Sequence, residues 1–308
     1  MISHSLSLVR HISFISILLS AGYIYPASSP GQYFFSKIES SPYLEPSGEI
    51  ESFADELFAQ GEYELAVHEY KREIIASDAP QEKMFRLALS LIRAGDIPEA
   101  KDVLNELLSA DYYELGIKAG RLLGFIHYRD GNYLMGRYEF SNLLSCSVEQ
   151  EFVAEWHYWL GWGYLLTYNF PSADSQFNIV VQPEFQSTHF YPSAYLLLKN
   201  IRRHTDQLPY RSPGLARCLS AIFPGLGQAY TGNYTDAVAS FIINLVSGYL
   251  TVSSLLDRDY FQTLIYYCFL WNRYYLGSRD NAYRLAVEFN EAEREKFVKA
   301  LMDAHLKW

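Results

Sequence analysis

A repeated pattern with a period near 34 residues constrains the middle of this chain more than any other feature. Small residues recur at Ala66, Ala100, Gly136 and Ala173, which are separated by 34, 36 and 37 residues. A glycine lies five residues before each of the first three, at Gly61, Gly95 and Gly131. A period of this length is typical of stacked pairs of antiparallel helices, each pair burying its apolar face against the next.

The residues around each small position predict the two helices of a pair. The first helix carries a large residue followed by a small one, at Phe53-Ala54, Leu87-Ala88, Leu123-Gly124 and Leu160-Gly161. The second helix carries the large residues Tyr70, Leu104, Phe140 and Phe177. Helices approach closely only where side chains are small, and glycine suits the left-handed turn between them. We therefore expect about four helix pairs over residues 48–205, closed by a helix at residues 190–205.

Over residues 48–182 this pattern resembles the tetratricopeptide repeat family. The resemblance implies that the first helices of the pairs line a concave groove, which binds a protein or peptide partner. Carried over by register, the groove residues are Phe85, Leu89, Ile92, Arg121, Phe125, Tyr128, Tyr158, Trp162 and Leu165. The alternative is that these rings pack on another helix of the protein itself, such as its C-terminal part.

The N-terminal residues 1–29 are predicted to be an export signal, either cleaved or retained as a membrane anchor. Arg10 precedes an apolar run from Ile12 to Ile24, and small residues follow at positions 27–29. This is the order of a secretory signal, and the run is short for a membrane span. Residues 30–47 contain three prolines among serine and tyrosine and are predicted to be a linker.

The C-terminal residues 211–308 are predicted to form an apolar helical hairpin followed by an amphipathic helix. Two nearly uncharged runs, Ala237 to Leu256 and Tyr260 to Gly277, flank a charged three-residue break. The first run has the length of a membrane span, and the rings of the second suit a membrane–water interface. The alternative is a soluble helical domain packed against the repeats.

A glycine-rich motif, Pro-Gly-x-Gly-Gln-x-Tyr-x-Gly, precedes the hairpin. Its residues are Pro224, Gly225, Gly227, Gln228, Tyr230 and Gly232. Because no strand precedes it and no Lys with Ser or Thr follows, we expect these glycines to allow a tight turn and close helix contact rather than to hold a phosphate.

With the hairpin and residues 272–278, this motif resembles a glycine-rich hairpin domain of bacterial membrane proteins, similar to the TM2-type domain. Relatives carry tetratricopeptide-like repeats, and some are associated with the membrane protein insertion efficiency factor. The family has no settled activity to carry over, so the resemblance implies only a membrane location and this architecture.

Composition and motifs give no support to an enzyme, a nucleic-acid-binding protein or a metalloprotein. The chain has 25 Lys and Arg against 35 Asp and Glu, a net charge of −10, whereas phosphate binding needs clustered cations. Hydrolase and metal-ligand motifs are missing from the sequence. The cysteines Cys146, Cys218 and Cys268 lie far apart, and we expect them to be buried as small hydrophobic residues. We predict no catalytic residue, cofactor or metal.

The sequence thus predicts an all-α protein, a tetratricopeptide-like solenoid followed by an apolar hairpin. We expect a non-enzymatic, protein-binding scaffold of the bacterial envelope, exported and associated with the inner membrane, with periplasmic repeats. One alternative is a structural or assembly factor whose groove is filled by its own C-terminal domain, and another is a divergent hydrolase. The topology stays open, because arginines on both sides of the hairpin favour the cytoplasmic face for that end.

Overall fold

The computed structural model describes residues 29–39, 41–46, 50–109, 113–147 and 149–306. Nearly all of these residues lie in helices, and none lies in a β-strand. The all-α fold class is therefore confirmed. The predicted export signal lies outside the described residues, apart from Ser29.

Nine helices follow one another through the predicted repeat region of the described chain. They are α2 (Phe53–Ala59), α3 (Tyr63–Ile75), α4 (Gln81–Ala94), α5 (Ile97–Ser109), α6 (Tyr113–Arg129), α7 (Tyr133–Cys146), α8 (Gln150–Leu165), α9 (Phe170–Val180) and α10 (Tyr191–His204). Each packs against the next one along the chain. The last, α10, is a helix at the place where a closing helix was expected.

Glycines bring neighbouring helices together at the predicted crossings. A Cβ added to Gly124 would lie 2.6 Å from the Phe140 ring, and one added to Gly161 would lie 2.6 Å from the Phe177 ring. The three glycines between helices adopt left-handed φ angles of 80°, 89° and 76°, at Gly61, Gly95 and Gly131. The small-and-large pattern read from the sequence is confirmed at these positions, since only glycine leaves room for the opposing ring.

The prediction of a linker at residues 30–47 is wrong for its first half. Helix α1 (Pro30–Ile38) begins at Ser29, whose side chain and that of Gln32 form a capping box, and a 3₁₀ turn follows at Pro42–Leu44. The apolar side chains of α1 lie on one side and are fully or almost fully buried: Phe34, Phe35 and Ile38. Burial of this apolar face stabilises the helix. Pro30 and Pro42 do not prevent it, because they lie at the first positions of the helix and of the 3₁₀ turn, where proline is tolerated.

The C-terminal third of the chain contains two short helices, a long apolar helix and a helical rod. These are α11 (Pro213–Ile222), α12 (Leu226–Tyr230), α13 (Tyr234–Leu256) and the rod, made of α14 (Tyr260–Ile265), a π-helical segment (Tyr266–Trp271) and α15 (Asn272–His305). The second apolar run and the charged tail thus form one continuous helix. Helix α15 alone is roughly 50 Å long.

The end of α15 connects the hairpin to the repeat helices. It packs against α1 and α10. Four of its side chains, Val298, Leu301, Met302 and Leu306, belong to the same buried cluster as the repeat helices. The hairpin is therefore joined to the repeats through a packed hydrophobic contact.

A buried ion pair joins α2 to α4. Asp55 Oδ2 lies 2.7 Å from Arg86 Nη1, and both side chains are less than one-tenth exposed. The Tyr70 hydroxyl donates to the other carboxylate oxygen, and the backbone N–H groups of Glu51 and Ser52 also donate to Asp55. Burial alone would raise the pKa of Asp55, but the hydrogen bonds from Tyr70 and Arg86 hold this pKa below its ordinary value.

We expect Asp55→Asn to lower the free energy of unfolding by about 3 kcal/mol at neutral pH, because Arg86 would remain buried without its counter-charge. The contribution of a carboxylate with a lowered pKa is present above the unfolded pKa of about 3.9 and is lost as pH falls through the folded pKa. The stability difference between wild type and variant should therefore shrink in acid. Urea unfolding followed by circular dichroism, at neutral pH and below pH 4, measures both effects.

Asp102→Asn is the matched control, since Asp102 is an exposed residue of α5. Equal stability of Asp55→Asn and the control at neutral pH would contradict the assignment.

Candidate functional site

The predicted groove residues lie on the first helices of successive pairs. They are Phe85 and Leu89 on α4, Arg121, Phe125 and Tyr128 on α6, and Tyr158 and Trp162 on α8, with Ile92 and Leu165 nearby. All of them except Arg121 are buried. The surface predicted to be an open groove is thus buried. Helix α1, which together with the 3₁₀ turn is here called the occluding segment, packs against its α6 part.

Phe34 of α1 lies in an aromatic cluster formed by α6 and α8. Its ring centroid is 6.2 Å from Phe125, 5.8 Å from Tyr128, 6.1 Å from Trp159 and 5.9 Å from Trp162, mostly in tilted or edge-on orientations. Edge-to-face pairs at these distances are each favourable beyond the area that they bury. Phe34 has no exposed surface, so it anchors the occluding segment.

Tyr43 covers a buried ion pair at one side of this cluster. Arg121 Nη2 donates to Glu155 Oε2 at 2.8 Å, and the Arg121 guanidinium lies over the Tyr43 ring at 4.7 Å. The Trp159 indole N–H donates to the same carboxylate at 3.2 Å. Burial raises the pKa of Glu155, although Arg121 opposes this shift. The predicted cation of the groove is therefore paired within the protein.

Gly31 allows α1 to lie directly on the backbone of α6. A Cβ at this position would be 1.9 Å from the carbonyl oxygen of Tyr128 and 3.3 Å from the Tyr133 ring. Glycine is needed for this close approach and not for its backbone angles, since its φ is not in the left-handed region.

Helix α15 contacts the occluding segment from another side. The Tyr33 hydroxyl donates to Asp303 at 2.8 Å, and Lys37 Nζ lies 2.7 Å from the same carboxylate. At the other end of the segment, Arg93 Nη2 lies 2.6 Å from Glu45 Oε1. The expected alternative was a groove filled by the C-terminal domain, but the N-terminal segment fills it and the C-terminal helix packs beside that segment.

Sequence reasoning missed the residues that complete this cluster, namely Gly31, Phe34, Tyr43, Glu155 and Trp159. Two signals were available. Tryptophans at 156, 159 and 162 share one helical face, and the apolar residues of α1 have helical spacing. The prolines of that region obscured the second signal.

The glycine-rich motif has a structural role at the base of the hairpin. Gln228 is fully buried and joins three other helices through its amide. Ser220 of α11 donates to Gln228 Oε1 at 2.8 Å, while Gln228 Nε2 donates to the Ser278 carbonyl at 2.8 Å and to Ser240 Oγ at 3.1 Å. These bonds satisfy both ends of the amide, as a buried polar group requires.

The other motif residues allow the backbone to pass close to neighbouring helices. Gly225 has a φ of 98°, and a Cβ there would lie 2.3 Å from the Ala237 carbonyl oxygen. At Gly227 the clash would be with the carbonyl oxygen of Ala216, at 2.0 Å. Gly232 has a left-handed φ of 87°, and the Tyr230 hydroxyl accepts from the Ser212 N–H at 3.1 Å. Pro224 lines the cleft described below. The predicted turn and close contact are confirmed.

Helix α13 buries polar side chains and exposes apolar ones, which is the reverse of the distribution in a water-soluble helix. Its buried side chains include Asn244, Ser247, Thr251 and Ser254. Its exposed side chains include Val238, Ile242, Leu245, Val246, Tyr249, Val252 and Leu256, of which Leu256 is 77% exposed. By length and composition it is the one helix of the described chain able to cross a membrane.

An apolar cleft of about 580 Å³ opens on this hairpin. Its walls come from the α11–α12 turn, α13 and the rod, and include Ile222, Phe241, Leu245, Gly248 and Trp271. None of the residues that line it is charged. Asn244 lines the cleft as well, and its Oδ1 accepts no hydrogen bond from the described residues.

The described residues contain no cluster of three His, Cys, Asp or Glu side chains that could hold a metal ion. The prediction of buried cysteines is wrong, since Cys146, Cys218 and Cys268 are free and exposed. Their positions on outward helix faces follow from packing, which the sequence spacing does not reveal.

Comparison of the chain with protein-family models, with curated proteins and with solved structures finds no match. The two resemblances therefore rest on the repeat and the glycine-rich motif themselves.

We expect Gly31→Ala to displace the occluding segment, although alanine favours a helix by about 1 kcal/mol. The added methyl group would overlap the Tyr128 carbonyl oxygen, at a cost of about 1–3 kcal/mol. Exposure of the aromatic cluster should shift tryptophan emission to longer wavelength and speed proteolysis at Lys37. Ser36→Ala, an exposed position of the same helix, is the control. Unchanged emission and proteolysis in Gly31→Ala would contradict this role.

We expect Gln228→Leu to destabilise the hairpin by about 2 kcal/mol, because it removes the amide bonded to Ser220, Ser240 and the Ser278 carbonyl. Thermal unfolding in detergent measures the loss. Gln262→Leu makes the same change at an exposed position of α14 and should have a small effect. If the two variants unfold at the same temperature, the Gln228 contacts are not stabilising.

Proposed function

We propose that this protein is a non-enzymatic structural or assembly factor, held at a bacterial membrane by its C-terminal hairpin. The observation that carries the proposal is the inverted surface of α13. A water-soluble helix buries its apolar face, and an exposed apolar patch of this size is costly in water. A membrane helix instead turns apolar residues to the lipid and small polar residues to its neighbours.

The dimensions of the hairpin support this assignment. Helix α13 has 23 residues and is about 34 Å long, close to the thickness of the hydrocarbon core of about 30 Å. The turn after α11 reaches the level of Phe241, since the rings of Phe223 and Phe241 stack at 5.1 Å. Ile222 beside it is 82% exposed. This turn would therefore enter the membrane partway, next to the hairpin.

The repeat helices would form the part that protrudes from the membrane. Sequential helix pairing, the glycine turns and the 34-residue period support a tetratricopeptide-like solenoid of about four pairs. In that family the groove binds a protein or peptide. Here Phe34 of the occluding segment covers Phe125, Tyr128 and Trp162, which favours the structural or assembly role over an open receptor. A helical partner entering the groove would have to displace Phe34.

The predicted export signal supports an outward location for the repeats, at the periplasmic face of the inner membrane. A hairpin leaves the membrane on the side from which it enters. The repeats and the end of α15 would therefore lie on the same side of the membrane. The arginines near the base of the hairpin, including Arg211, Arg217 and Arg284, favour the opposite orientation. The two indications conflict, so the side of the membrane on which the repeats lie has to be measured. The proposal that the hairpin anchors the protein does not depend on this orientation.

Membrane anchoring predicts a specific effect of charge on α13. The full-length protein should stay in the membrane pellet after carbonate washing, whereas Ile242→Lys with Val246→Lys should be extracted. Each lysine within the hydrocarbon costs roughly 2.5–3.5 kcal/mol. The control pair is Leu65→Lys with Leu134→Lys, which places the same charges on exposed positions of the repeats. It should remain in the pellet.

Release of the wild-type protein by carbonate would reject the anchoring. Protease treatment of spheroplasts then tests the orientation, and digestion of the repeats from outside supports the periplasmic assignment. Protection of the repeats in intact spheroplasts, with digestion after lysis, would reverse it.

A further inference from the structure

Arg273 is the one charged residue in the two apolar runs of the hairpin, Ala237 to Leu256 and Tyr260 to Gly277. Its side chain is exposed, and it forms no hydrogen bond, ion pair or ring contact with any residue of the described chain. A charged side chain inside the hydrocarbon is costly, and in membrane proteins it nearly always faces a group that offsets its charge. The hairpin therefore carries a cation that its own fold does not pair.

The contacts of its neighbours place Arg273 near the middle of the hairpin. The Tyr274 carbonyl oxygen lies 3.5 Å from Asn244 Nδ2, and a Cβ added to Gly248 would lie 3.8 Å from the Trp271 ring. Arg273 is therefore level with the turn of α13 between Asn244 and Gly248. The middle of this turn is about 14 Å from one end of the first apolar run and about 15 Å from the other, since a helix rises about 1.5 Å per residue.

In a membrane-embedded hairpin the side chain of Arg273 would face lipid. It lies two residues from Trp271 and two from Tyr275, which both line the cleft, so it projects from the opposite face of the helix. Both ends of the apolar run are farther away than an arginine side chain extends. Snorkelling along the helix would therefore not bring its guanidinium to the headgroups.

Neither this chain nor a second copy of it offers a carboxylate at this depth. The two apolar runs contain no Asp or Glu, and residues 1–38 contain none either. Asp280 lies two turns along the helix and pairs with Arg217 at 2.8 Å. Two copies inserted in the same orientation would bring their Arg273 side chains to the same depth, where like charges repel. The counter-charge has to come from another protein.

We propose that the face of α15 around Arg273 binds a transmembrane helix of another protein, one that carries an Asp or Glu near the middle of its span. The proposal rests on the membrane hairpin of the proposed function. A carboxylate accepts two parallel hydrogen bonds from a guanidinium, so it pairs the cation and satisfies its donors together. Gly277 is exposed one turn away, and no neighbouring helix of the described chain lies within 4 Å of a Cβ added there, so a partner helix can approach closely.

Designed transmembrane peptides test the requirement for charge. The full-length protein is reconstituted in phosphatidylcholine vesicles with a leucine–alanine peptide of about 20 residues, which carries a dansyl group and either Asp or Asn at its centre. Binding is measured as energy transfer from Trp271, taken as the difference from Trp271→Phe. The wild-type protein should bind the Asp peptide about tenfold more tightly than the Asn peptide. Arg273→Gln should abolish this preference. Arg284→Gln, at an exposed position of the same helix beyond the apolar run, should keep it.

Equal binding of the two peptides by the wild-type protein would overturn the proposal, and so would a preference that persists in Arg273→Gln. Association between copies of the protein that is lost in Arg273→Gln would assign this face to a second copy instead. Stronger quenching of Trp271 by lipids brominated near the headgroup than by lipids brominated near the chain end would place Arg273 among phosphates, which also overturns it. Each of these results leaves the hairpin in the membrane, whereas carbonate extraction of the wild-type protein rejects the hairpin itself.

Discussion

The packing of Phe34 against four rings of α6 and α8 is the contact on which the form of the repeat region depends. Without it, the inner faces of these helices would expose tryptophan, tyrosine and phenylalanine to water. The cluster also determines where other parts of the chain lie, since the Tyr33 hydroxyl and Lys37 on the same helix meet Asp303 at the end of α15. The occluding segment is thus packed on both sides, and the repeats, the N-terminal helix and the C-terminal rod share one hydrophobic cluster.

The hairpin follows a different physical rule from the repeats. The repeat helices bury large rings and pair the few charges that they bury, whereas α13 buries asparagine, serine and threonine and exposes aliphatic side chains. Gln228 provides the polar centre at the base of the hairpin, and Ser220, Ser240 and Ser278 satisfy its amide. The two distributions are the basis of the proposal that the hairpin lies in a membrane and the repeats lie outside it.

Much of the fold could be predicted from the sequence because the repeat imposes local constraints. Helix crossings need small residues and turns need left-handed glycines, so Gly124, Gly161 and Gly95 indicate helix pairs without any tertiary information. The same reasoning predicted helices at the residues carried over to the groove, and these residues lie on α4, α6 and α8. It missed the occluding segment, because prolines near its helix starts resemble a linker and because Gly31 is explained only by the Tyr128 carbonyl that it contacts.

The sequence by itself determined that the protein is helical, that its middle repeats, and that its C-terminal part contains one apolar helix of membrane length. These properties depend on periodicity and composition, which are local. Only the tertiary structure decided that the groove is filled from the N-terminus, that the cysteines are exposed, and that Asn244 faces a cleft with an unpaired carbonyl oxygen. Those outcomes depend on contacts between residues far apart in the chain, such as Phe34 with Trp162 and Gln228 with Ser278, and no local pattern specifies them.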